Sequence, residues 1–303
     1  MKRNLRLRSR ILEAIRGFFI DLDYLEVETP TRIPAPAPEM HIDAPASGDW
    51  FLHTSPELCM KRLLAKGYPR IFQICRCFRQ GERGNKHLPE FTMLEWYTAK
   101  TDYVDLMNQC EDLIGFTARY TGFETSVFYH VSEDKAYKID LKKPWDKMTV
   151  ATAFEKYGSM PMEEALERDK FDEVMAYEIE PRLGCGKPLF LYDYPAQRGA
   201  LASLKADDDS VAERFELYMA GLELCNGFTE LTNPNEQRER FKEEENYRRL
   251  SGKETYPMPK KFLESLRFMP NASGNALGID RLVMIFANTT KIDEVVAFTP
   301  EGL

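Results

Sequence analysis

Apolar residues recur at helical spacing near the start of the chain: Ile11, Leu12, Ile15, Phe18, Phe19 and Leu22 share one face, and Arg8, Arg10, Glu13 and Arg16 take the other. That period predicts an amphipathic helix over 8–22. It gives way to alternation in YLEVETP (24–30), where Leu25 and Val27 interleave with Glu26 and Glu28 until Pro30 ends a half-buried strand. Prolines at 30, 34, 36 and 38 exclude helix and predict an extended loop. TSPELCMKRLLAKG (54–67) carries the signals of a helix, with Ser55 as N-cap, Pro56 at the first helical position, Glu57 in the first turn and Gly67 as the stop. IFQICRCF (71–78) and FTMLEWY (91–97) are β runs joined by a loop.

Further along, Val104, Leu106, Cys110, Leu113 and Ile114 predict a helix, and another starts at Thr149. PLFLYDYP (188–195) reads as a strand. ERFELYMAGLELCNGFTEL (213–231) reads as a hairpin, with two apolar runs divided by Ala220-Gly221 and an end near Asn226-Gly227. PNEQRERFKEEENYRRLSG (234–252) reads as a charged helix with a solvated face, closed by Gly252. SGNALGIDRLVMIF (273–286) is a glycine-punctuated turn or strand followed by a helix. Antiparallel-type strands without regular βαβ alternation predict an α+β fold around one central sheet.

Composition narrows the class. Of 303 residues, 43% are hydrophobic and 30% charged, the balance of a folded globular chain. The net charge of −8 argues against a large nucleic-acid footprint but leaves room for a local basic pocket. The basic start lacks the continuous apolar core and cleavage site of a signal peptide, and nothing has the length of a membrane span, so a cytoplasmic protein is expected. Six cysteines are scattered, with one close pair, Cys75-Arg76-Cys77. Without CxxC-type spacing, and with four histidines in all, they read as reduced, buried thiols and not as a zinc site.

The candidate chemistry lies in three stretches. In FRQGERGNKHLPEFTMLEWY (78–97), Arg79, Arg83, Lys86 and His87 occupy the loop between the β runs, where arginine's planar fork suits phosphate. On the outgoing strand Phe91, Met93, Glu95 and Tyr97 share a face, and a glutamate there needs a polar cavity or a cation, an ammonium group being one candidate. In the hairpin, Glu223 and Glu230 are either edge-strand glutamates facing water or carboxylates for Mg2+. In GNALGIDRL the glycines allow close backbone approach beside Arg281, yet neither GxGxxG nor a P-loop is present.

These residues carry a resemblance. The chain resembles the catalytic domain of class II aminoacyl-tRNA synthetases of the lysyl type over nearly its whole length. RILEAIRGFFIDLDYLEVETP is similar to motif 1, FRQGERGNKHLPEFTMLEWY to motif 2 and GNALGIDRLVMIF to motif 3, while TSPELCMKRLL and LELCNGFTELTNPNEQRERF resemble the lysine-specific segments. With motif 1 at its start, residues 1–303 leave no room for an anticodon-binding barrel and are expected to be one catalytic domain, the arrangement of the elongation factor P (R)-β-lysine ligase family. Ala276, where lysyl-tRNA synthetases have Gly, points the same way and tunes the pocket by about 1 to 3 kcal/mol.

The resemblance implies roles position by position. Arg79 would hold the α-phosphate and substrate carboxylate, Arg281 the γ-phosphate side, and Phe91 would stack on adenine. Glu223 and Glu230 would serve Mg2+ and ATP, with Leu224 and Gly278 lining the nucleotide. Ser55, Pro56, Glu57, Glu95, Tyr97, Asn226, Phe228, Glu230 and Ala276 would form the pocket for a lysine-like substrate. Gln80, Gly81, Glu82 and Leu88 would also contact ATP, and there motif 2 departs from its usual pattern: Gln80, Gly81 and Glu82 stand where Asn-Glu is usual with the acid displaced by one, and Leu88 replaces an ATP-contacting Asn.

The implied reaction is ATP-dependent adenylation of (R)-β-lysine or lysine, followed by transfer to a lysine side chain of elongation factor P, by a homodimer that does not use tRNA. A truncated lysyl-tRNA synthetase that charges tRNA, and a non-catalytic amino-acid-binding regulator, are the alternatives.

Overall fold

The computed structural model describes residues 2–132 and 135–303. One large sheet organises the chain. In chain order its strands are β1 (Leu25–Glu26), β2 (Arg70–Phe78), β3 (Glu90–Ala99), β4 (Asp146–Thr149), β5 (Leu189–Pro195), β6 (Val211–Met219), β7 (Leu222–Thr229) and β8 (Ala272–Gly278). They lie in the order β1-β2-β3-β8-β7-β6-β5-β4. The outermost pairs, β1 with β2 and β4 with β5, are parallel, and the pairs between them are antiparallel. The α+β expectation with one central sheet holds.

The helices that bear on the site are α1 (Lys2–Asp21), α2 (Glu57–Leu64), α3 (Tyr103–Thr121), α4 (Pro234–Leu250) and α5 (Ile279–Ala287). Successive side chains on a strand point to opposite faces. One face of the sheet carries Phe72, Leu94, Trp96, Phe215, Leu217 and Leu277, which pack with the apolar stripes of α1, α3 and α5 into the main core. The other face packs Ile71 and Tyr97 against α2 in a smaller core and leaves the rest of its area for chemistry. A buried ion pair fastens the helical layer: Arg8 of α1 meets Asp280 at 2.5 Å, and Asp280 also accepts from the Thr92 N–H of β3 at 2.7 Å. Asp280 sits in the first turn of α5, where the helix dipole favours a carboxylate.

Several sequence expectations change here. α1 begins at Lys2 and not at residue 8, because Arg8 is anchored and the basic turns before it remain helical. The strand after it shrinks to Leu25–Glu26, and Leu25 is half exposed because β1 lies at the sheet edge with one neighbour. Ser55 does accept from the Glu57 N–H, at 2.9 Å. The hairpin turn is at Ala220-Gly221, both at positive φ (51° and 72°), but β7 runs straight through Asn226-Gly227 because both pair with β8. The charged helix α4 is not simply solvated: Arg248 is fully buried, with its guanidinium bonded to the carbonyls of Glu39, Ile42 and Glu254 and to Asp43.

Candidate active site

Strand register builds the site. Pairing aligns Gln73 on β2, Glu95 on β3, Ala276 on β8, Asn226 on β7 and Glu216 on β6 in a single row across the sheet. The neighbouring row runs Tyr97, Gly274, Phe228, Arg214. Both rows face a cavity of about 410 Å³. Gly274 is required by the crowding between them: a Cβ there would lie 2.2 Å from the Tyr97 ring and 2.3 Å from Glu230 Oε1.

At the closed end carboxylates outnumber cations. Lys61 of α2 is buried between Glu57, at 2.5 Å, and Glu230. Burial alone would lower the Lys61 ammonium, but Glu230 and Glu57 hold it above its ordinary value. Glu230 Oε1 is buried with no hydrogen-bond partner. Burial pushes the Glu230 carboxyl up to about 8, with Lys61 opposing the rise and Glu57 adding to it. Glu95, 1% exposed, accepts from Ser55 Oγ at 2.5 Å and from Tyr97 OH at 2.9 Å. Its carboxyl is raised well above the usual range, by burial first and then by the charge of Glu57.

Arginines govern the open end. Arg281 Nη1 donates to Glu223 Oε2 at 3.0 Å and to the Glu223 carbonyl at 2.9 Å. Arg281 Nη2 lies 2.6 Å from His87 Nε2, which must accept, since a guanidinium only donates. The His87 ring is correspondingly lowered, by burial and then by Arg281. Burial also works against the Glu223 carboxylate, yet Arg281, with Arg79 and Arg214 farther off, keeps it below its ordinary pKa. Arg79 packs over the Phe91 ring at 5.1 Å, and its Nε is buried without a partner. Arg214 pairs with Glu216 at 2.6 Å, and Tyr218 OH donates to the other Glu216 oxygen at 2.6 Å. Glu180 nearby is raised to about 7 by burial and by the charges of Glu216 and Glu223.

This geometry can hold an amine-bearing ligand in its closed end and polyphosphate among its arginines. A family model described as tRNA synthetases class II (D, K and N) matches residues 1–301. The chain belongs to that class II synthetase family. Among curated relatives, the elongation factor P--(R)-beta-lysine ligase of Erwinia tasmaniensis is 40% identical over 309 aligned residues, covering 98% of this chain and 94% of that protein. The proteins of the same name from Sodalis glossinidius and Pectobacterium atrosepticum are 39% and 38% identical, each covering 98% of this chain and 95% of the relative.

Of the residues singled out in the sequence, this class II synthetase fold brings Ser55, Glu57, Arg79, Glu82, Leu88, Phe91, Glu95, Tyr97, Glu223, Leu224, Asn226, Phe228, Ala276, Gly278 and Arg281 to the cavity wall. Leu88 is also part of the main core. Five others stand apart. Pro56 is buried at the start of α2, and Gln80 and the positive-φ Gly81 form an exposed turn, with the Gln80 N–H on the Asp43 carbonyl. Glu230 sits behind the wall with Lys61. Arg83, grouped with Arg79 in the sequence, turns outward to Glu301 and Asp293.

Glu223 and Glu230 cannot share one ion. Seven positions apart at about 3.3 Å per residue, Glu223 in β7 and Glu230 just past its end lie roughly 20 Å from each other. Glu216 on the paired strand also lines the cavity and feels the charge of Glu223, and nothing in the sequence analysis singled it out. ERFELY carries the signal, because Arg214, Glu216 and Tyr218 alternate with apolar residues as Glu95 and Tyr97 do. Lys61 was also missed; it interrupts the buried stripe Leu58, Lys61, Leu64. Glu39 lines the cavity from the proline-rich loop, where no periodicity marks it, and burial raises its carboxyl to about 7 against the pull of Arg79.

Proposed function

We propose that residues 1–303 act as one catalytic unit, an ATP-dependent, AMP-forming ligase that activates (R)-β-lysine or lysine and passes it to a lysine side chain of elongation factor P. The observation that carries this reading is the excess of carboxyl groups at the closed end, where Lys61 is shared by Glu57 and Glu230, Glu95 on the cavity wall has hydroxyl partners and no paired cation, and an oxygen of Glu230 has no donor. A substrate with two ammonium groups supplies the missing positive charge. The names of the relatives point to the same substrate and acceptor.

In the first step a substrate carboxylate oxygen attacks the α-phosphorus of ATP. The bond to the bridging oxygen breaks, and pyrophosphate leaves with its electron pair, so an acyl adenylate remains. In the second step the acceptor amine attacks the acyl carbonyl, the carbon–nitrogen bond forms, AMP departs and the amine proton passes to solvent. Glu95 and Tyr97 orient the amine end of the substrate. Arg79, with its unpaired Nε, meets the carboxylate and α-phosphate, and Arg281 receives the distal phosphates. Rate then comes from positioning and from fixed charge facing the phosphates, with no covalent enzyme nucleophile. Glu216 and Glu223 are the pair suited to Mg2+, which prefers one or two carboxylates beside phosphate oxygens; the ion would offset phosphate charge. Glu180, raised first by burial and then by the charges of those two carboxylates, is the third acidic group there, and a cation would relieve their mutual repulsion.

No helix among the described residues is long and apolar enough to cross a membrane. The exposed Ile20, Leu22 and Leu25 of α1 and β1 suit a homodimer contact, which sedimentation would detect. The central test is ATP–pyrophosphate exchange with (R)-β-lysine and with α-lysine, followed by mass analysis of elongation factor P. Exchange together with a mass gain on the factor is expected. Charging of tRNA with the factor unmodified overturns the assignment of the acceptor, and lack of exchange with either amino acid indicates a binding protein without chemistry.

A further inference from the structure

Behind the wall that carries Glu95 and Phe91, a histidine comes to the cysteine pair. His53 follows the short strand Trp50–Leu52, and its backbone is fixed at both ends: its N–H donates to the Thr31 carbonyl at 2.9 Å, and its carbonyl accepts from the Phe78 N–H at 3.0 Å. The ring is fully buried. Nε2 lies 2.6 Å from the Arg76 carbonyl oxygen, which can only accept, so Nε2 carries the proton and Nδ1 presents a bare lone pair. That Nδ1 is buried and has no hydrogen-bond partner. A buried acceptor is costly unless a proton or a ligand meets it, and the group beside this one is the Cys75 thiol.

The thiols supply the rest. Cys75 and Cys77 are two positions apart on β2 and therefore point to one face, and their sulfurs are 3.9 Å apart. Among the described residues, His53, Cys75 and Cys77 are the one grouping of three such side chains whose donor atoms lie within 4.8 Å of one another. Tetrahedral zinc, with Zn–S of about 2.3 Å, separates two thiolates by about 3.8 Å. The spacing suits a shared ion better than a bond. Sulfurs joined in a disulfide lie at about 2 Å, and residues two apart on a strand have Cα atoms about 6.6 Å apart, the long end of the disulfide range. Gln73, the next residue along the same face, has a buried Oε1 without a partner.

We propose that His53 Nδ1, Cys75 Sγ and Cys77 Sγ form a zinc site behind the wall of the substrate cavity. Binding replaces the two thiol protons, which leave to solvent, by one Zn2+. Two thiolates, a neutral imidazole and a divalent zinc sum to zero charge, which a buried site tolerates, whereas monovalent copper would leave a net negative charge. Hard cations such as Mg2+ are poorly served by sulfur. Cys75 is partly exposed and gives the ion its entry. Register places Gln73 opposite Glu95, Cys75 opposite Met93 and Cys77 opposite Phe91, so the ion ties β2, and the segment ahead of α2, to the strand that faces the ligand. The site does not depend on the proposed reaction.

The test uses the full chain freed of metal by a chelator and then equilibrated with zinc or cobalt. Expected are one zinc per chain, a higher melting temperature with zinc, and a cobalt form showing tetrahedral d–d bands and thiolate-to-cobalt charge transfer. Cys77→Ser should weaken zinc binding at least about tenfold and reduce the charge-transfer band, while Cys185→Ser, away from the site, should change neither. Octahedral cobalt without charge transfer in the unmutated protein overturns the proposal, and that reading needs no variant to fold. So does Cys77→Ser binding zinc as tightly as the parent.

Discussion

Glu95 and Glu223 both face the same cavity, and their carboxyls are tuned in opposite directions. Glu95 is sealed from solvent with two hydroxyl donors and the charge of Glu57 nearby, and it is pushed up. Glu223 keeps 35% of its side chain exposed and is held by Arg281, and it is pulled down. Desolvation acts on both, and the resident cation decides the sign. The closed end is a set of carboxyls waiting for a ligand's positive charge, and the open end is a set of arginines whose carboxylate partners are already ionised.

The strongest way to break this contrast is to remove Arg79, whose Nε is unpartnered and whose ion pair with Glu82 is long, at 3.9 Å. Arg79→Ala should lower ATP–pyrophosphate exchange by about 10³-fold with little change in melting temperature, by analogy with loss of a preorganised charge donor. An exchange rate within tenfold of the parent would mean that the open end does not hold the reacting phosphate.

Glu95→Gln removes the charge but keeps the shape. A loss of about 10²-fold in kcat/KM for the amino acid is expected, carried by KM, with ATP affinity little changed. Equal loss for both substrates would erase the division between the two ends.

Gly274→Ala places a methyl against Tyr97 and Glu230. It should cost about 1 to 3 kcal/mol of stability in chemical denaturation and weaken amino-acid binding more than nucleotide binding.

Titration gives a smaller signal with a definite sign. The Glu230 carboxyl stands at about 8 in the fold against an ordinary 4.5, so the ligand-free protein loses stability as pH rises from about 4.5 through about 8. An arriving ammonium favours the ionised form. Binding should therefore release protons below about pH 8 and tighten with rising pH up to that value, by at most about tenfold per unit. Calorimetry in buffers of different ionisation enthalpy measures it; proton uptake would contradict the reading. The smallest effect is expected from Ala276→Gly, between Glu95 and Asn226, which should shift the ratio of kcat/KM for (R)-β-lysine and α-lysine by about tenfold.

Much of the site was legible because strand alternation marks faces. Glu95 and Tyr97 stand out in FTMLEWY as polar groups on one side of an apolar strand, and both line the cavity. The same alternation in ERFELY went unread, so Glu216 on the cavity wall was overlooked while Glu223 was grouped with Glu230, seven positions along the chain. Proximity in sequence misled there, since residues close along one strand are far apart in space while residues on paired strands are neighbours. Arg83 and Arg79 were likewise grouped by nearness, and the loop sends them to opposite sides. Gln80 and Gly81 fell outside the cavity for the same reason.

What the sequence by itself determined was local: the amphipathic stripe of α1, the start of α2 at Ser55-Pro56, the turn at Ala220-Gly221, and the face on which each strand shows its polar residues. These follow from φ/ψ preference, capping and side-chain period, which act over a few residues. Tertiary structure decided register, and with it the row from Gln73 through Glu95, Ala276 and Asn226 to Glu216, the burial of Lys61 and Arg248, and the meeting of His53 with Cys75 and Cys77. Pairing between distant segments is set by how the whole sheet packs against its helices, which no short window of residues contains.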